Sequence, residues 1–198
     1  MMKYRIGVMG SATGPPIRVQ ETITKAVMVG QEIARADCIL VNGACRGLPD
    51  EAAFGAKNAG GMTMGISPAF SLKEHIEKYK SPEDNLDIIV FTGLGLMERD
   101  LINIRSSDAI IVLGGGLGAL NEFIVAFDEE KVVGVLTGTG GVSDHIPEIL
   151  SICGRKVEDF LLFDSDPKAL VQKVVERLKT VGSSVTKDQR VFRSAHGE

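Results

Sequence analysis

The chain has little of what would commit it to a metal, a disulfide framework or a nucleic acid. Its three cysteines, Cys38, Cys45 and Cys153, show no Cys-x-x-Cys spacing, and an odd number argues against a disulfide framework. The three histidines, His75, His145 and His196, lie far apart with no supporting cysteine pattern, so no metal site is expected and a zinc enzyme is a poor reading. There is no extended lysine or arginine run and the net charge is -4. Duplex nucleic acid binds through its phosphates and needs a basic face, so no nucleic-acid partner is expected. No apolar run is long enough to span a bilayer, and Met1-Met2-Lys3 leads into a strand without a signal-peptide pattern. No membrane partner is expected, and a reducing cytoplasm is the expected location.

What the chain does have is glycine. Its 198 residues include 23 glycines and no tryptophan, with 44% hydrophobic residues, which suits one compact α/β domain with many strand-to-helix turns. Short apolar runs at Tyr4–Met9, Asp37–Val41, Met62–Ile66, Leu86–Phe91, Ala109–Leu113, Lys131–Leu136 and Leu161–Phe163 read as strands. Helical stretches alternate with them, over residues 20 to 36, Ala52–Lys57, Leu96–Arg105, the segment after Gly118, and Asp166 to Leu178. That alternation predicts a doubly wound, mostly parallel sheet of about seven strands covered on both faces. No repeat or interdomain linker interrupts it. One domain is expected over 1–181, followed by a flexible tail over 182–198 where apolar periodicity is lost.

The most informative stretch is Ser107 to Phe123. Ala109-Ile110-Ile111-Val112-Leu113 runs into Gly114-Gly115-Gly116-Leu117-Gly118-Ala119-Leu120-Asn121-Glu122, which places four glycines among five positions between a buried strand and a helix. Glycines permit positive φ and leave no Cβ to hold a ligand away, and the following helix presents unpaired N–H groups at the positive end of its dipole. Such a turn is an anion site, most often for phosphate, formed here by Gly115, Gly116, Leu117, Gly118 and Ala119. Glu122 lies about one turn into the helix, suited to gripping ribose hydroxyls or steadying a cationic transition state. The alternative, a packing turn with a solvated Glu122, stays open.

Other turns leave strand ends on the same side. Gly10-Ser11-Ala12-Thr13-Gly14 is rich in small and hydroxyl residues, and Gly10 and Ser11 could touch a ligand or serve only the turn. Gly43 and Arg46 lie in the turn after the second strand, where Arg46 is either a ligand-gripping cation or a surface arginine. Cys45 reads as a packing residue. The alternating charges of Ser71–Asp84 predict a solvated helix or flap with His75 exposed, and Thr137–Gly141 reads as a mobile glycine loop. Ligands of open parallel sheets bind beyond the strands' carboxyl ends, where the winding reverses.

From Arg99 through Gly115, Gly116 and Gly118 to Glu122 the sequence resembles the LOG family and the related molybdenum cofactor carrier proteins. The family pattern is an arginine before the central strand, then PGGxGTxxE, and the Arg99-to-Glu122 spacing fits it without a gap. Gly114 stands where LOG enzymes have proline, which looks more like the carrier branch, and Ala119 stands where they have threonine. The resemblance implies a Rossmann-like fold, usually a homodimer, with a pocket for a phosphorylated small molecule. It carries over Arg99 and Glu122 as the catalytic pair of a hydrolase that cleaves the N-glycosidic bond of nucleoside 5′-monophosphates. It gives no support to lysine decarboxylation, because no pyridoxal-binding lysine context is visible.

Two functions follow. Gly114 and Ala119 favour a carrier or sensor that binds a nucleotide or a molybdopterin-type cofactor without turning it over. Retention of Arg99 and Glu122 favours the phosphoribohydrolase. No further cofactor is required in either case, the nucleoside monophosphate or molybdenum cofactor being the bound ligand. A dinucleotide-dependent oxidoreductase is a poor reading, because the early turn at Gly10 lacks GxGxxG spacing.

Overall fold

The structure, a computed structural model, describes residues 2–195, and the side chains of residues 2–181. Seven strands, β1 (Arg5–Gly10), β2 (Ile39–Asn42), β3 (Met62–Ser67), β4 (Ile88–Phe91), β5 (Ala109–Leu113), β6 (Val132–Leu136) and β7 (Leu161–Asp164), form one sheet in the order β4-β3-β2-β1-β5-β6-β7. Every pairing is parallel. The helices are α1 (Gln20–Arg35), α2 (Leu48–Asn58), α3 (Leu72–Glu77), α4 (Leu96–Arg105), α5 (Leu117–Asp128), α6 (Ile146–Ile152) and α7 (Pro167–Ala195). The expected doubly wound, Rossmann-like α/β fold is borne out.

The strand periodicity divides the core into two layers. On β5, Ile111 and Leu113 join Ile6, Val8 and Leu40 beneath α1, α2 and α7. Ile110 and Val112 face the opposite way and pack with Ile104 of α4, Phe123 and Phe127 of α5, and Ile146 and Leu150 of α6. All five β5 side chains are buried, so both faces of this strand are core, and each large aliphatic contributes about 1.5–3 kcal/mol by leaving water. Such a strand has to be apolar throughout, which is why it stood out as an unbroken run.

β1 is the strand at which the winding reverses, with β2 on one side and β5 on the other. The two central strands end together, Gly10 in register with Leu113. A Cβ at Gly10 would lie 2.6 Å from Leu113 O, so this close approach needs glycine. The crevice beyond these ends is the ligand position that the fold offers.

Three local expectations differ. α2 begins at Leu48, a turn earlier than Ala52, because Pro49 fits a first helical turn where its missing N–H is no loss. His75 is fully buried rather than exposed, held at both ring nitrogens by Ser67 Oγ (2.9 Å) and Pro82 O (3.1 Å). α7 starts as expected, with Asp166 Oδ1 accepting from Ala169 N, and runs past Leu178. The side chains of the expected flexible tail, 182–198, lie outside the described residues.

Candidate functional site

After Leu113 the chain turns through Gly114 (φ 60°) and Gly115 (φ 98°) before α5 begins at Leu117. A φ of 60° is closed to proline, whose ring fixes φ near about -65°, so the glycine at the family's proline position reflects a different turn. A Cβ at Gly115 would lie 2.6 Å from the Cβ of Ala119.

The first two N–H groups of the loop are used internally. Gly114 N donates to Thr139 Oγ1 (2.9 Å) and Ser143 Oγ (3.1 Å), and Gly115 N donates to Ser11 Oγ (2.7 Å). The Gly114 and Gly115 carbonyls accept from Ser143 N and Val142 N. The segment Thr137–Gly141, expected to be a mobile loop, is hydrogen-bonded: Asp144 accepts from the N–H groups of Gly138 and Gly140.

The next N–H groups face outward. Gly116 is the N-cap of α5 and supplies no side-chain cap, and the first-turn N–H groups of Leu117, Gly118 and Ala119 have no helical carbonyl ahead of them. Gly116, Leu117 and Gly118 are exposed, and a Cβ at Gly116 or Gly118 would meet nothing within 4 Å. Open space in front of a helix N-terminus suits an anion.

Beside this turn lies a buried charged group. Arg99 of α4 is 6% exposed and Glu122 of α5 is 7% exposed. Arg99 Nη1 stands 3.6 Å from Asp100 Oδ1 and 3.9 Å from Glu122 Oε1, and Arg99 Nε has no hydrogen-bond partner. Glu122 Oε1 accepts from Asn103 Nδ2 (3.1 Å), and Asp100 Oδ2 accepts from Asn121 Nδ2 (3.1 Å). Burial, with the nearby Asp100 charge, pushes the Glu122 carboxyl up to about 7 despite Arg99 and Asn103. Burial also raises Asp100. A solvated Glu122 is thus ruled out. A carboxyl poised near neutrality beside a guanidinium can hold or release a proton and can bind hydroxyl or N–H groups.

Arg99, Asp100 and Glu122 line a cavity of about 330 Å³ together with Gly10, Gly43, Gly118 and Ala119. A second cavity of about 400 Å³ adjoins it, sharing Ala12, Gly43, Cys45, Leu96 and Arg99. A Cβ at Gly43 would fall on Arg99 Nη1, so that glycine makes room for the guanidinium. Arg46 lies on the second cavity, exposed, with its guanidinium on the carbonyl of Lys80. Burial holds the Cys45 thiol up at about 11, protonated and inert as a nucleophile at neutral pH. Sequence reasoning missed Asp100, Asn103, Thr139 and Ser143; the hydroxyls scattered through the glycine-rich 137–143 segment were the available signal. Among the described residues, no three His, Cys, Asp or Glu side chains could together hold a metal ion.

A family model described as the SLOG cluster4 family matches residues 3–171. The chain belongs to the SLOG cluster4 family. An uncharacterized protein of Archaeoglobus fulgidus is 35% identical over 136 residues, 69% of this SLOG chain and 82% of its own length. Among solved structures, the molybdenum cofactor binding protein of Rippkaea orientalis is 30% identical with a TM-score of 0.68, covering 91% of this chain and 98% of that one. The molybdenum cofactor carrier protein of Chlamydomonas reinhardtii is 29% identical with a TM-score of 0.70, covering 90% and 99%. The resemblance drawn from Arg99 to Glu122 is borne out for family and fold.

Proposed function

We propose that this protein is a carrier or sensor that binds a phosphorylated small molecule, a molybdopterin-type cofactor or a nucleotide, in the cleft between the α5 N-terminus and Arg99. The observation that carries this reading is the pairing of two unmet donor sets. Outward N–H groups run from Gly116 to Ala119, and the buried Arg99 Nε lacks a partner. An anionic group satisfies the first set, and the Arg99 guanidinium lining the same cleft adds a positive charge beside it. The likeness to proteins described as molybdenum cofactor carriers supports a cofactor as cargo. The phosphate site is then Gly116, Leu117, Gly118 and Ala119, with Gly115 and Ser11 shaping the loop and Gly10 and Gly43 opening the cleft.

A second reading, hydrolysis of nucleoside 5′-monophosphates, is favoured by Glu122. Cleaving the N-glycosidic bond builds positive charge on the ribose, which a nearby carboxylate stabilises, while Arg99 orients the phosphate or the leaving base. Incubating the protein with a panel of nucleoside 5′-monophosphates and recording retained ligand and released base separates the two. Ligand retained without base release supports the carrier; base release lost in Glu122→Gln supports the hydrolase.

A homodimer belongs to the same proposal. β4 exposes Ile88, Val90 and Phe91 and α4 exposes Ile102, apolar side chains that a second copy would cover. Light scattering tests it, a monomer contradicting it. Among the described residues no helix is long and apolar enough to cross a membrane. The three free cysteines accord with the proposed reducing location.

A further inference from the structure

We propose that the second cavity is the subsite for the ligand's planar ring system, that Tyr79 forms its aromatic wall, and that His75 is the residue that positions this wall. The inference rests on the phosphate-ligand reading above and extends it to the other end of the ligand.

The two cavities are one cleft divided at Arg99, since both are lined by Ala12, Gly43, Cys45, Leu96 and Arg99. The first carries the outward loop and the carboxyl groups. The second has Pro68, Tyr79 and Leu96 among its walls and a volume of about 400 Å³, within the usual range for small-molecule sites. A ligand whose phosphate sits against Gly116–Ala119 has its remaining bulk directed past Arg99 into this space. Pro68, Leu96 and Tyr79, whose ring carries Lys78 Nζ at 5.0 Å over one face, give this cavity an apolar lining against which a flat heterocycle stacks, with Arg99 also on its wall.

The outer wall is a short strap, Tyr79-Lys80-Ser81, whose conformation is fixed by other parts of the chain. Lys80 has φ 52°, a left-handed conformation that costs a side-chain-bearing residue energy and persists only where surroundings enforce it. Arg46 holds the Lys80 carbonyl, and Ser81 N donates to His75 O (3.2 Å). His75 Nε2 meets Pro82 O, and its Nδ1 meets Ser67 Oγ at the end of β3. A carbonyl only accepts, so Nε2 carries the hydrogen, leaving the Ser67 hydroxyl to donate to Nδ1. The imidazole thus ties the strap to the sheet. Ser67 Oγ also accepts from Ala69 N, so the same network holds the backbone on either side of Pro68 on the cavity wall.

The test is calorimetric titration of the full chain with ribose 5-phosphate, which has no ring system, and with AMP, GMP and 6-hydroxymethylpterin phosphate. Wild type is expected to bind its best ring-bearing probe roughly tenfold or more above ribose 5-phosphate, the scale of aromatic stacking. Tyr79→Ala removes that preference and leaves ribose 5-phosphate affinity unchanged. Should that variant not fold, Tyr79→Leu keeps the bulk without the aromatic face and gives the same readout. His75→Ala also lowers ring-bearing affinity alone, and His75→Gln, whose amide can still donate to Pro82 O, restores part of it. A preference that survives Tyr79→Ala, or a wild type that binds ribose 5-phosphate without any preference, overturns the subsite while sparing the phosphate reading. A wild type that binds none of the four probes contradicts the phosphate reading and overturns the subsite with it.

Discussion

Gly43 and Arg99 compete for one space: the Cβ that Gly43 lacks would overlap Arg99 Nη1. The end of β2 therefore determines where the guanidinium of α4 lies, and through it the distances from Arg99 to Asp100 and Glu122.

Gly43→Ala is expected to expel Arg99 from the cleft while the sheet stays intact, because the clash is with the tip of a flexible side chain. Charge-assisted contacts contribute about 1.5–3 kcal/mol, so ligand affinity falls by roughly tenfold or more. Titration with the retained ligand, alongside a thermal melt, checks this. Unchanged affinity would remove Arg99 from the binding account.

Gly116→Val separates binding from folding. Gly116 has a negative φ of -119° with ψ -149°, just outside the extended region that a β-branched residue prefers, and a Cβ there meets nothing within 4 Å. Backbone strain limits the loss of stability to about 1–3 kcal/mol, while the side chain fills the space before the α5 N-terminus and abolishes anion binding. A denaturant melt and a phosphate titration read the two effects separately. Phosphate binding at wild-type strength would place the anion elsewhere.

Ser11→Ala acts on the loop from beneath. It leaves the buried Gly115 N–H without its acceptor, a loss of about 1–3 kcal/mol. Chemical unfolding should show that loss together with weaker ligand binding, since the loop's shape depends on this bond. A stable variant with weakened binding would instead make Ser11 a direct ligand contact.

Glu122 makes stability depend on pH with a definite sign. Its carboxyl moves from an ordinary 4.5 to about 7 on folding, so between these values the folded state binds the extra proton. The associated stability, about 3 kcal/mol, is fully present below pH 4.5 and lost as pH rises through 7. Asp100 is raised too and contributes in the same direction. Glu122→Gln cannot ionise, so its stability relative to wild type should rise from pH 4.5 to pH 8 in parallel denaturant melts. A constant difference across that range would mean the carboxyl is not held protonated.

Much of this was legible in the sequence, for a physical reason. A parallel strand buried on both faces must be apolar throughout, so Ala109–Leu113 declared itself, and the glycines after it marked the loop. The role of Ser11 was hidden because its hydroxyl meets Gly115 across 104 positions, and Thr139 meets Gly114 across 25. His75 sits among alternating charges that read as a solvated face. Its burial depends on Ser67 and Pro82, contacts that local pattern does not encode. Glu122 was placed by its motif, but its burial and raised pKa arise from packing with Asp100, Arg99 and Asn103.

The central claim is that the cleft retains a phosphorylated ligand through the α5 N-terminus. Its most direct test is native mass spectrometry of wild type and Gly116→Val after incubation with nucleoside 5′-monophosphates, with released base measured in the same samples. The account predicts ligand retained by wild type, none by Gly116→Val, and no free base. Equal retention by both proteins, or none by wild type, would contradict it.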